Sequence, residues 1–117
     1  MWTERARIIK KFNEAISYIE KQDYFHDYRL GNLEIQNSSV IIMIEEDTRE
    51  KHNDNAHIWE FRFENISNLN FTLDCIMDSY ISEVLIENNE VRFGLTNGCI
   101  SFYTEKISLG IPQIESV

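Results

Sequence analysis

The stretch Glu83–Thr104 reads EVLIENNEVRFGLTNGCISFYT. Asn97-Gly98 is a strong two-residue hairpin signal, because a type I′ turn needs two residues that tolerate positive φ. Turned there, the chain sets Thr96 opposite Cys99, Leu95 opposite Ile100, Phe93 opposite Phe102 and Arg92 opposite Tyr103. A like turn at Asn88-Asn89 sets Ile86 opposite Val91 and Val84 opposite Phe93. Both turns bring Val84, Ile86, Val91, Phe93, Leu95, Ile100 and Phe102 to one face. A one-residue slip in either turn would destroy that face, so the two turns support each other. Residues 83–104 predict a three-strand antiparallel meander.

Upstream the alternation continues. Gly31, Leu33 and Ile35 alternate, and a turn at Asn37-Ser38 leads back into VIIMI at 40–44, apolar on both faces and read as a central strand. Trp59, Phe61 and Phe63 alternate with Glu60, Arg62 and Glu64, giving a strand with one wet face. After an Asn65–Asn68 turn, Leu69, Phe71 and Leu73 alternate again. A last strand runs from Lys106 to Leu109. Before all of these, Trp2, Ile9, Phe12, Ile16 and Ile19 recur at helical spacing, with Thr3 as a cap and Asp23 past the end. The expectation is one α+β domain over 1–117. An amphipathic helix at 1–22 packs on about seven mainly antiparallel strands at 23–110, forming a curved sheet, a sandwich or a partly open barrel, and a tail follows at 111–117.

Charge is unevenly placed. The formal charge is -9. Residues 1–22 hold five Lys/Arg and three Glu, whereas residues 23–117 hold six Lys/Arg and seventeen Asp/Glu. So acidic a body repels phosphate backbones, which argues against a nucleic-acid partner, and it attracts basic proteins. The same charge also serves solubility. Cys75 and Cys99 match no zinc or redox spacing and read as reduced thiols in a cytoplasmic protein. The start MWTERARIIKK has no apolar signal core, and VIIMI is far too short to span a bilayer, so no membrane association is expected.

Three constellations invite chemistry. His26-Asp27 suggests a metal-dependent phosphohydrolase, but no histidine lies upstream and the pair precedes a strand. It reads better as a helix-to-strand junction in which Asp satisfies free backbone N–H groups. The polar run EEDTREKHNDNAH at 45–57 carries His52, Asp54 and His57, yet H-x4-H in a loop fixes no ligand geometry. Glu60, Glu64, Glu83, Glu87 and Glu90 fall on the outer faces of strands. There is no phosphate loop, dinucleotide fingerprint or nucleophile elbow, and no cofactor is expected.

An N-terminal helix, the His26-Asp27 strand opening, the Trp59-Phe61-Phe63 strand and the 83–104 meander together resemble small bacterial proteins that include immunity proteins of polymorphic toxin systems. The resemblance implies a non-enzymatic partner that neutralises a basic toxin. The partner surface expected from the residues is Glu45, Glu46, Asp47, Glu50, Asp54, Glu60 and Glu64, with Trp59 or Tyr80 as an aromatic anchor. Two alternatives stay open. One is a metal or small-ligand domain, with hydrolase activity in some versions, built on His26, Asp27 and His57. The other is a homodimer or larger homo-oligomer formed through an exposed sheet edge or strand 40–44.

Overall fold

A computed structural model describes residues 5–46, 57–73 and 79–112. In chain order the elements are β1 (Arg5–Ile9), α1 (Phe12–Lys21), a 3-10 turn (Asp23–Phe25), β2 (Arg29–Gln36), β3 (Ser39–Glu45) and β4 (Ile58–Glu64). They continue with β5 (Ser67–Leu73), β6 (Ile81–Glu87), β7 (Glu90–Leu95), β8 (Gly98–Tyr103) and β9 (Lys106–Pro112). The fold is α+β and mostly sheet. Among the described residues nine strands form two antiparallel sheets, ordered β1-β9-β4-β3-β2 and β5-β8-β7-β6.

The sheets face each other through the alternating apolar rows. Val40, Ile42, Ile44, Trp59, Phe61, Phe63 and Leu109 of the larger sheet are buried, as are Val84, Val91, Phe93, Ile100 and Phe102 of the smaller. Aromatic rings lock the layers edge to face: Phe63 on Phe102 at 5.0 Å and Phe61 on Phe93 at 5.4 Å between centroids. Helix α1 adds Ala15 and Ile19 to this core, and the following turn inserts Phe25 against Trp59, Phe61 and Tyr28. The sheets are also stitched along one side. Arg29 bridges Tyr80, Ile81 N–H donates to Tyr28 O at 2.7 Å, and Asp27 N–H donates to Ile81 O at 2.9 Å. The result is a sandwich hydrogen-bonded between β2 and β6.

Four details differ from the sequence reading. The first is the N-terminal helix, which begins at Phe12 and not near residue 1. Arg5–Ile9 is a strand paired with β9, Ile9 opposite Leu109. Ile9 faces the core either way, so helical spacing and strand pairing made the same demand on it. The β-branched pair Ile8-Ile9 favours the strand, because β9 offers it an unpaired edge. Ile16, placed on the buried stripe, is 37% exposed, while Ala15 is fully buried. The second is the number of strands, nine among the described residues rather than about seven; eight match segments that alternate in the sequence, and β1 is added to them. The third is β9, which runs on through Ile111 and Pro112, both buried, where a tail was expected.

The fourth is a register. Asn88-Asn89 turns as expected, with φ of 51° and 67°, and sets Ile86 opposite Val91 and Val84 opposite Phe93. The next hairpin turns on Thr96-Asn97 instead of Asn97-Gly98. Leu95 faces Gly98, Phe93 faces Ile100 and Val91 faces Phe102. The slip is two residues, so parity is kept and the same side chains stay inside. Gly98 is needed within the ladder: a Cβ there would collide with the Thr72 carbonyl oxygen and lie 2.9 Å from Leu73 Cα. Glycine serves the close approach of β5, not a positive φ.

Candidate functional site

The acidic run after β3 starts from a firm base. Glu45 faces Ile58 in the last rung of the β3–β4 ladder, and Glu46 N–H donates to His57 O at 3.0 Å. Its first two carboxylates are committed internally. Glu45 accepts from Arg29, whose Nε donates at 2.8 Å and whose Nη2 also reaches the same oxygen. Glu46 Oε2 lies 3.4 Å from His57 Nδ1. Asp47, Glu50 and Asp54 fall outside the described residues, as do His52 and Cys75. Glu60 and Glu64 lie on the outer face of β4 on either side of Arg62, and Arg62 Nη2 is 3.9 Å from Glu60 Oε2.

Trp59 is a core residue, 1% exposed, and no surface anchor. Its ring packs on Phe25 and Tyr28, and its Nε1–H donates to Tyr18 Oη at 2.7 Å. The alternation that puts Phe61 and Phe63 inside carries Trp59 with them. Burial pushes both Tyr18 and Tyr28 above the usual phenol value, and the charges of Glu46 and Tyr18 add to the rise at Tyr28. At Tyr18 the Trp59 hydrogen bond and the Arg7 charge act in the opposite sense. These phenols hold their protons near neutral pH, and the Tyr18 oxygen serves as the acceptor for Trp59.

His26 and Asp27 sit in the turn before β2. The His26 Nδ1 to Asp27 Oδ2 separation is 3.2 Å, and both side chains are exposed, 57% and 83%. His57 packs elsewhere, against Glu46 and the Trp59 ring. His26, Asp27 and His57 are not brought together: among the described residues no group of three or more His, Cys, Asp or Glu could hold a metal ion. What Asp27 contributes is its backbone N–H, one of the bonds that stitches the two sheets. The groove between the start of α1 and strands β4 and β9 mixes Lys10, Lys11, Arg62 and Lys106 with Glu64 and Glu105, so it presents no single sign of charge.

The outer face of the smaller sheet is different. Its register sets Leu85 opposite Arg92, Glu87 opposite Glu90, and Tyr103 opposite Glu90 on the other side. Leu85 and Tyr103 are 37% and 42% exposed, and Glu83 and Glu87 are exposed beside them. Glu87 and Glu90 close the Asn88-Asn89 hairpin as a directly opposed like-charge pair. Such a pair costs stability, and Arg92 Nη2, 3.8 Å from Glu90 Oε2, offsets it in part. No family model, curated protein or solved structure matches the chain. Sequence parity had already put Glu83, Glu87 and Glu90 outside. It gave less notice of Leu85 and Tyr103, since an isolated apolar residue on a wet strand face is unremarkable until its neighbours across the sheet are known.

Proposed function

We propose that the chain is a non-enzymatic protein-binding module that captures a basic protein through the outer face of its β5-β8-β7-β6 sheet. The resemblance to immunity proteins makes a toxin the partner of first choice. One observation carries this reading: the opposed carboxylates of Glu87 and Glu90 stand on the Asn88-Asn89 hairpin beside exposed Leu85 and Tyr103. A face selected for solubility alone gains nothing from a like-charge rung, whereas a cationic partner entering between the two carboxylates relieves it. Leu85 and Tyr103 supply the apolar contact that charge by itself does not. The net charge of -9 adds long-range attraction for the same class of partner.

Immobilised chain and lysate of the source cell test the reading at low and at high salt. The expected result is one near-stoichiometric basic protein, retained at low salt and released as salt rises. A doubly substituted chain, Glu87→Lys with Glu90→Lys, should remain folded and lose it, while His26→Ala should keep it. Equal retention by the lysine variant, or no basic protein retained at either salt, overturns the proposal.

A further inference from the structure

Among the described residues each sheet has two edges, and the four edge strands are β1, β2, β5 and β6. Proteins blunt such edges with charge or proline, because a free row of N–H and C=O groups otherwise recruits another strand. Three of the four follow that rule: β1 contains Arg5 and Arg7, β2 contains Arg29 and Glu34, and β6 contains Glu83 and Glu87. Strand β5 reads SNLNFTL and has neither a charge nor a proline. Among the described edges, that is the one two copies could bring together without opposing like charges.

The edge is also apolar on its inner side. Phe71 pairs with buried Ile100, so it shares the core-facing row, yet it is 41% exposed, and Leu69 is 36% exposed. The pattern Leu69-Asn70-Phe71-Thr72-Leu73 reads alike from both ends: apolar, polar, aromatic, polar, apolar. Two antiparallel copies of one strand are related by a two-fold axis, and this alternation lets apolar residues meet apolar ones across it. With the axis at Phe71, Phe71 meets its own copy, Leu69 meets Leu73 and Asn70 meets Thr72. A one-residue shift would set apolar against polar throughout.

We infer that β5 is a self-association edge, through which two copies pair antiparallel about Phe71 into one continuous eight-stranded sheet. The bulge between Ser67 and Asn70 bends the start of the strand and keeps the ladder short. The dimer is therefore transient, with less buried area than a permanent interface. The inference does not rest on the proposed partner, and salt separates the two. Screening weakens capture of a basic protein but strengthens pairing of two acidic copies.

Sedimentation velocity over a concentration series, at low and high salt, tests it. The expected result is a dimer that grows with concentration and with salt. Phe71→Lys should weaken it by about tenfold or more, because the axis sets the two new charges face to face. Asn70→Lys leaves the apolar row intact and should also weaken it, so the test survives if Phe71→Lys unfolds. Leu85→Lys, on the outer face, should leave it unchanged. A monomer under all conditions, a dimer that persists in a folded β5 variant, or one lost with Leu85→Lys would overturn the inference.

Discussion

Phe93→Ala removes the ring that joins the two sheets. Phe93 is fully buried, and its centroid lies 5.4 Å from that of Phe61 and 6.0 Å from that of Phe63, both on the facing sheet. Val84 and Ile100 flank it in its own sheet. An aromatic side chain buries roughly 150–250 Å². At about 25 cal/mol per Å², removing all of it would cost roughly 4–6 kcal/mol. Alanine keeps the Cβ and the walls relax in part, so the expected loss is about 3–5 kcal/mol. Urea denaturation followed by tryptophan fluorescence measures it. With a slope of about 2 kcal/mol per M, the midpoint should fall by roughly 2 M at unchanged slope. Phe71→Ala removes the same ring from a half-exposed edge position and should cost only about 1–2 kcal/mol. If Phe93→Ala cost less than about 1 kcal/mol, or less than Phe71→Ala, the placement of Phe93 between the sheets would be wrong.

Two further outcomes are expected. Gly98→Ala forces a methyl group against the backbone of Thr72 and Leu73, which cannot swing aside as a side chain could. It should destabilise by about 1–3 kcal/mol and speed hydrogen exchange in Asn70–Leu73; unchanged exchange there would refute the close approach of β5. Tyr18 and Tyr28 have folded-state values raised above the ordinary 10.0, so the neutral phenols favour the folded state. That contribution is complete below the unfolded value and is lost as pH climbs through the raised ones. Phenolate absorbance should show two tyrosines ionising late, with the urea midpoint falling over the same alkaline range.

The legible parts of this chain were those set by local chemistry. Asparagine tolerates positive φ, so Asn88-Asn89 marked its turn, and the period of two then sorted Val84, Ile86, Val91 and Phe93 from Glu83, Glu87 and Arg92. The alternation Trp59-Phe61-Phe63 likewise named three core residues. The same parity rules out Trp59 as a surface anchor, because its place in the alternation buries it beside Phe61 and Phe63. Ile9 shows the opposite limit, since a single apolar residue next to a helix satisfies either period until a neighbouring strand claims it.

Composition and pattern by themselves determined an acidic α+β chain, a meander with a known inner face, and carboxylates on its outer face. Tertiary structure alone decided the pairings between strands distant in sequence, β1 with β9, β4 with β9 and β5 with β8. It split the strands into two sheets, drew Arg5–Ile9 out of the helix to pair with β9, and slid the last hairpin by two residues so that Gly98 could lie under β5. It also gathered Leu85, Tyr103, Glu87 and Glu90 on one surface and, among the described residues, left β5 as an edge. Side-chain parity depends on neighbours within a strand, which the sequence carries directly. Strand partnership depends on contacts distant in sequence, whose free energies are comparable for many pairings and are settled only when the whole core closes.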